Sequence, residues 1–468
     1  MKIGFVSLGC PKNLVDGEVM LGLARQAGHE ITADAAGAEA IVVNTCAFID
    51  RAKEESVDAI LEMARLKRDG GCKTLIVTGC LAERYGEELR REIPEIDVIL
   101  GTGDVPAITE ALAGTAAPDG VAPLRFFRSG QAHGLPPTAT PDRQPPAPGP
   151  TYLYDASTPR VLTTPKHYAY VKIAEGCDYT CAFCIIPTLR GEYRSRDEDS
   201  ILREAEALAA QGVRELLLIS QDTTFFGIDK GQRGALARLL RRLNDVAGLS
   251  WIRLLYLYPT TITDDVLEAM ASCEKVCRYV DLPLQHASAS VLKRMRRPGN
   301  REAYDALLAR IRRHMPDVTL RTTFIVGFPG ETEEDVAELE AFVRETDFDH
   351  VGVFTYSHEE GTRAHAMADD VPAATKKARR DRIMRLQKQI VARRRRRQVG
   401  EVVPVIVDGP SPDSDLVMTG RVAGQAPDID SIVVFSECNP AELVPGHLVS
   451  ARIIGARGYD LIATPLPD

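Results

Sequence analysis

Three cysteines, Cys177, Cys181 and Cys184, fall within the stretch EGCDYTCAFCIIP (residues 175–187), spaced C-x3-C-x2-C. Three thiolates are too few to close a tetrahedral zinc site and cannot pair off as disulfides. They suit soft metals, and a 4Fe–4S cube held by three cysteines leaves one iron open to another ligand. A zinc knuckle short of its fourth ligand and a cluster of buried thiols are the plainer alternatives. A second trio is spread along the chain: Cys10 follows IGFVSLG, Cys46 ends AIVVNT and Cys80 ends TLIVTG. Each stands at the end of an apolar run of strand length, and in an open parallel sheet such ends line one edge, where ligands bind. Buried cysteines of no special function are the alternative for this set.

Those thiols need elements to carry them. Over residues 1–113, short apolar runs (IGFVSL, AIVVNTC, KTLIVTGC, VILGTG) alternate with amphipathic stretches such as Gly17–Ala27 and Lys53–Lys67. This alternation predicts a Rossmann-like parallel α/β sheet. Residues 114–165 are rich in Pro, Ala, Gly and Thr, the composition of a linker or insertion. Residues 166–397 hold six strand candidates (YAYVKIA, ELLLIS, WIRLLYL, RYVDLPL, TLRTTFIV, HVGVFTY). Helical patterns lie between them at Ser200–Gln211, Ala235–Val246, Arg301–His314 and Glu333–Glu345. An incomplete (β/α)6 barrel is the economical fold, and Cys177, Cys181 and Cys184 then follow its first strand, at the mouth where barrel enzymes place their chemistry. A charged helix ends in Arg393–Arg397, and residues 398–468 read as a small antiparallel β-barrel.

Composition narrows the function classes. A formal charge of −9 argues against a general polyanion binder. The apolar run at the N-terminus is too short for a signal peptide and no stretch is long enough to span a bilayer, so a cytoplasmic location is expected, with no membrane partner. In that reducing setting the ten cysteines are expected as thiols for metal or redox work. Cys72, Cys273, Cys277 and Cys438 match no motif and are expected to be structural.

The loop of Cys177, Cys181 and Cys184 resembles that of the radical S-adenosylmethionine superfamily, in which it holds a 4Fe–4S cluster whose open iron chelates S-adenosylmethionine. The resemblance implies that Phe183 is the aromatic residue beside the third cysteine. It also implies that Gln221 and Asp222 in ISQDTT stand where many relatives carry a Gly-Gly-Glu turn for the amino group, and that Gly327 and Gly330 in FIVGFPGET let the backbone approach the adenine. His286 in DLPLQHAS reads equally as structural or catalytic.

Two three-cysteine sets on a Rossmann-like domain and a partial barrel, followed by a small TRAM-like barrel, resemble the methylthiotransferases. That likeness implies a second, auxiliary 4Fe–4S cluster on Cys10, Cys46 and Cys80 that carries the sulfur to be methylated and transferred. It further implies two S-adenosylmethionine molecules and an electron donor such as flavodoxin or ferredoxin. Members act either on tRNA or on an aspartate of small-subunit ribosomal protein twelve. Residues 398–468 carry ten acidic residues against three basic ones, Arg421, Arg452 and Arg457, a difference of seven negative charges. A module this acidic would repel tRNA and attract a basic protein. The motifs IGFVSLGCPKNLVDGE and EGCDYTCAFCIIPTLRGEYRSR also resemble the ribosomal-protein branch. The Arg393–Arg397 run is expected to be the solvated end of a linking helix, with a grip on ribosomal RNA as the alternative. A tRNA-modifying enzyme and a zinc-loaded binding protein are the rival readings.

Overall fold

The computed structural model describes residues 1–114, 125–127, 149–412 and 414–467. Most of the Pro- and Ala-rich stretch expected as a linker, residues 115–124 and 128–148, lies outside the described residues. The chain packs as two compact units, the first comprising residues 1–163, 174–180 and 184–200, the second residues 164–173, 181–183 and 201–468.

In the first unit six parallel strands form one sheet, in the order Glu30–Thr32, Lys2–Ser7, Ala40–Thr45, Thr74–Gly79, Val98–Leu100 and Arg125–Phe127. The last of these comes from the stretch that composition alone assigns to the linker. Ala40–Thr45 and Thr74–Gly79 are buried at every position, the mark of parallel strands covered on both faces. The first helix, Pro11–Gln26, begins six residues before the amphipathic stretch that predicts it. Its opening turns bury Lys12, Asn13, Asp16 and Glu18, so the side facing the protein is polar and hides the usual apolar period. Glu18 is fully buried and accepts hydrogen bonds from Arg160 (2.8 Å to Nε), Thr163 N (2.6 Å) and Thr163 Oγ1 (3.0 Å). The end of the Pro-rich stretch is thereby strapped to this helix. Gly22 permits the close approach, since a Cβ there would lie 2.3 Å from Pro159 O.

In the second unit the six expected barrel strands are all present. Trp251–Leu254, Glu215–Ile219 and Tyr168–Lys172 form one parallel run, and Tyr279–Asp281, Thr319–Val326 and His350–Thr355 another. A single parallel bridge, Ile252 to Val276, links the runs into an open barrel wall. The helix Arg301–His314 has the bounds its periodicity predicts, with Asn300 capping Ala303 N at 2.9 Å. Glu333–Thr346 starts with a capping box between Thr332 and Asp335. Helices Asp264–Ser272 and Ala289–Arg294 are additions to the sequence reading.

Residues 402–465 close a five-stranded barrel. It departs from a purely antiparallel design in one pair, because Val433–Phe435 runs parallel to Asp460–Pro465. This domain is bound to the N-terminal ends of the (β/α) strands by a buried polar layer. Arg253 donates to Glu215 (2.8 Å) and to Ala423 O (2.7 Å), and Arg421 donates to Glu215 (2.6 Å) and Asp408 (2.8 Å from Nε). Tyr170 donates to Asp428 (3.0 Å), and Tyr279 donates to Asp430 (2.6 Å). Asp408 and Asp430 are therefore spent on internal partners while Asp428 stays exposed, and since Arg421 is buried too, the outward balance remains acidic. The arginine run is likewise divided. Arg393 and Arg394 pair with Asp347, and half-buried Arg395 donates to Ser431 Oγ (3.1 Å). Arg393, Arg396 and Arg397 are exposed, and Arg394 and Arg395 are half-buried. The helix end is thus exposed at three of its five arginines and braced at the other two.

Among the described residues no helix is long and apolar enough to cross a membrane.

Candidate metal centres

The strand ends of the first sheet gather the scattered thiols. Cys10, Cys46 and Cys80 follow the strands Lys2–Ser7, Ala40–Thr45 and Thr74–Gly79, which are neighbours in the sheet. Gly9 and Gly79 precede the outer two with φ of 95° and 92°, values that a side chain would strain. A Cβ on Gly9 would also come within 2.8 Å of Cys46 Cβ, so the loop of Cys10 lies directly against Cys46. Cys10 is the N-cap of Pro11–Gln26 and Cys80 the first residue of Cys80–Glu92, which sets two of the thiols at positive helix ends.

Asparagines lace the loops together. Asn13 Nδ2 donates to Leu8 O (2.7 Å) and Thr45 O (3.0 Å), and Asn44 Nδ2 donates to Asn13 O (2.7 Å). The backbone N–H of Cys46 donates to Ser56 Oγ at 3.0 Å. Burial pushes the Cys46 thiol up to about 12, and the neighbouring Cys80 and Cys10 sulfurs push in the same direction. Burial raises Cys80 as well, against a lowering pull from Arg190. Burial and repulsion between neighbouring thiolates thus keep Cys46 and Cys80 protonated until a metal replaces the protons.

Arg190 is the cation at this edge. Its guanidinium is 3% exposed and donates to Asp16 (2.5 Å), Glu175 (3.3 Å), Asn13 Oδ1 (3.2 Å) and Cys80 Sγ (3.6 Å). Local folding brings it there. After Cys184 the chain forms a short helix, Ile186–Arg190, ended by Gly191 at φ 71°. Ile185 and Leu189 pack into the core beneath the sheet with Val43, Val77 and Leu81. Ala174–Glu175 pairs with Arg194–Ser195, and Cys177 N donates to Gly191 O (3.0 Å), so both ends of the cysteine loop are tied down.

Cys177, Cys181 and Cys184 are half-buried thiols, none of them in a disulfide. Next to Cys181, Ala182 N donates to Met295 O and Ala182 O accepts from Ala364 N, both at 2.8 Å. Arg297 donates to Cys181 Sγ (3.8 Å) and Pro283 O (2.7 Å) and lies over the Tyr258 ring at 4.1 Å. Its Nε is buried without a hydrogen-bond partner among the described residues. An unspent cationic donor beside a thiol suits an anionic sulfur group. Both thiol sets thus have donors that fit an iron–sulfur cluster. Among the described residues no three His, Cys, Asp or Glu side chains converge as the ligands of a single ion would. A cube asks for a different geometry, in which each thiolate takes its own iron.

The remaining candidate residues lie in the second unit. Phe183 packs with Ala182, Val291, Met295 and Phe328. Asp222 is fully buried and accepts from Thr224 N (2.9 Å), Phe225 N (3.2 Å) and Thr261 Oγ1 (3.0 Å), which shapes the turn following Gln221. Gly327 (φ 74°) donates its N–H to Glu331 (2.6 Å), and a Cβ there would lie 2.3 Å from Lys376 Cγ. Gly330 (φ 73°) donates to Asp370 (2.8 Å). His286 is buried: its Nδ1 accepts from Ser288 N (3.0 Å), which leaves Nε2 to donate to Glu331 (3.2 Å). Glu331 in turn pairs with Arg379 at 2.7 Å, so His286 is a brace for the loop of Gly327. Burial raises Cys72, Cys273, Cys277 and Cys438 above the ordinary thiol range, Cys277 to about 11, as expected of unreactive structural thiols. The sequence reading passes over Arg190, Asp16, Asn13, Glu175 and Arg297. The one signal for Arg190 is its place in PTLRG, directly behind the cysteine loop.

An open (β/α) barrel bearing a three-cysteine loop, in a chain that also holds a parallel sheet with three thiols on one edge, defines a radical S-adenosylmethionine enzyme. Family models agree: Uncharacterized protein family UPF0004 matches residues 2–101, the Radical SAM superfamily residues 171–343 and the TRAM domain residues 399–466. Among solved structures, the radical S-adenosylmethionine methyltransferase TsrM from Kitasatospora setae shares the fold, with a TM-score of 0.53 at 16% identity over 75% of this chain and 72% of that one. Much nearer in sequence are proteins described as ribosomal protein uS12 methylthiotransferase RimO. The Symbiobacterium thermophilum protein is 50% identical over 99% of this chain and 90% of its own length. That of Koribacter versatilis is 47% identical over 99% and 96%, and that of Trichlorobacter lovleyi 46% over 100% and 98%. The chain belongs to the RimO family and is a radical S-adenosylmethionine methylthiotransferase.

Proposed function

We propose that this enzyme places a methylthio group on the β-carbon of an aspartate in small-subunit ribosomal protein twelve. It would use two S-adenosylmethionine molecules and two 4Fe–4S clusters, one on Cys177, Cys181 and Cys184, the other on Cys10, Cys46 and Cys80. The observation that carries the reading is the gathering of Cys10, Cys46 and Cys80 on one sheet edge in a chain that also holds the three-cysteine loop. Support for the substrate comes from relatives 46–50% identical over 98–100% of the chain, whose description names uS12.

When bound, the clusters and S-adenosylmethionine supply the radical chemistry that opens an unactivated C–H bond, and the sulfur and methyl group that replace the hydrogen. The chain's own residues hold and shield. Arg190 and the helix N-termini offset the negative charge of the sheet-edge thiolates. Arg297 does the same at Cys181, while Phe183, Met295 and Phe328 exclude water beside it. Phe183, Gln221, Asp222, Gly327 and Gly330 are assigned to the S-adenosylmethionine site. Of these, Asp222 acts by fixing the turn behind Gln221, and the glycines by holding the loop that Glu331 and His286 brace. An electron donor of the flavodoxin or ferredoxin class completes the system.

Expression in a host lacking its own ribosomal-protein methylthiotransferase tests the substrate. Mass spectrometry of ribosomal protein twelve should then show a methylthio-aspartate, with tRNA unchanged. New thiomethylated adenosine in tRNA and an unmodified ribosomal protein would instead assign the chain to tRNA.

A further inference from the structure

The sheet edge carries a buried cation that the thiol-ligand assignment does not require. Arg190 comes from the segment after the cysteine loop, yet it sits within hydrogen-bonding distance of Cys80 Sγ, 3.6 Å away. It also contacts Glu175 at 3.3 Å, and Asp16 at 2.5 Å and Asn13 at 3.2 Å on the helix that starts at Cys10, where Asn13 also ties down the backbone before Cys46. One guanidinium thereby reaches the local frame of all three sheet-edge thiols.

Burying a cation with two carboxylates brings no clear gain in stability over an apolar filling. Arginine keeps its charge in any protein environment, and its planar fork lets the carboxylates orient it while one amino group faces elsewhere. Here that amino group faces sulfur. We propose that Arg190 is a positioning residue for the auxiliary cluster: it fixes the Cys80 thiolate and sets the charge balance that favours the reduced cluster, with Asp16 as the opposing charge. This rests on the assignment of a cluster to Cys10, Cys46 and Cys80. The sign follows from electrostatics. Reduction adds a negative charge, so a fixed cation nearby raises the reduction midpoint and a fixed anion lowers it.

The test uses the full-length chain with Cys177, Cys181 and Cys184 changed to Ala, reconstituted anaerobically with iron and sulfide. Bound iron, the electron paramagnetic resonance signal of the reduced cluster and its midpoint are then measured. Arg190→Met should lower the midpoint and speed iron loss to a chelator about 10-fold, the scale of lost outer-sphere support. Arg190→Lys should stay near the parent, and Asp16→Asn should raise the midpoint. Opposite shifts from Arg190→Met and Asp16→Asn are what a merely structural role would not produce. An unchanged midpoint in Arg190→Met, or a fall in both variants, overturns the proposal. Should Arg190→Met fail to fold, Asp16→Asn decides alone: a raised midpoint supports the proposal, an unchanged or lowered one overturns it. A parent chain that binds no iron would refute the auxiliary cluster itself and the role of Arg190 with it, whereas iron bound with an indifferent midpoint refutes only the latter.

Discussion

The two thiol sets reach a similar chemistry by opposite routes. Cys177, Cys181 and Cys184 lie on one short loop, so their proximity costs almost nothing in chain entropy. Cys10, Cys46 and Cys80 are separated by whole strand-helix units and meet only because three neighbouring parallel strands end at one edge. Each set nevertheless has one buried arginine with an N–H directed at one sulfur, Arg190 at Cys80 and Arg297 at Cys181. The comparison teaches that the thiols can be recruited locally or by fold, while the compensating charge is non-local in both. Arg297 is 116 residues from its cysteine and Arg190 is 110 from its own.

The largest effect that would break this comparison is at the loop. Cys181→Ala should abolish reductive cleavage of S-adenosylmethionine, read as loss of 5′-deoxyadenosine, while iron bound at the sheet edge persists. Next comes the arginine pair. Arg297→Met should speed loss of the loop cluster to a chelator about 10-fold and leave the sheet-edge cluster unaffected. A similar loss at both sites would show that the arginines act on the fold at large.

A third region offers a contrast, because Arg253 and Arg421 there donate hydrogen bonds to oxygen, although the Cys277 thiol interacts electrostatically with both. Glu215→Ala leaves Arg253 and Arg421 short of a carboxylate and should cost about 3 to 5 kcal/mol in denaturant unfolding. The smallest effect concerns Asp335. Burial would raise its pKa, yet hydrogen bonds from Ser288, Ser290 and Thr332 hold it down at about 2. Its folded value lies below the ordinary aspartate range, so its contribution is complete above that range and is lost as pH falls toward 2. Asp335→Ala, which removes the capping box, should cost about 1 kcal/mol at neutral pH, with the difference from the parent shrinking in acid.

Much of this was legible beforehand, for identifiable reasons. The loop cysteines show because their spacing is local, and the barrel strands because Tyr168–Lys172 and Glu215–Ile219 are unbroken apolar runs. The sheet-edge set is legible only through its three strands, since parallel pairing alone brings their ends together. The start of Pro11–Gln26 was hidden because its buried face carries Lys12, Asn13, Asp16 and Glu18, polar residues that serve the site and the strap at Arg160. Acidity in the last domain points outward only in part, since Asp408 and Asp430 face buried arginines, tyrosines and histidines, and Arg421 of the same domain is buried with them. Composition counts charges and cannot say which way they point.

The division of labour between the two thiol sets is tested most directly by Cys46→Ala, assayed anaerobically with S-adenosylmethionine, reductant and ribosomal protein twelve. Formation of 5′-deoxyadenosine without any methylthio-aspartate is the predicted result. Normal formation of the methylthio product by this variant would contradict the account.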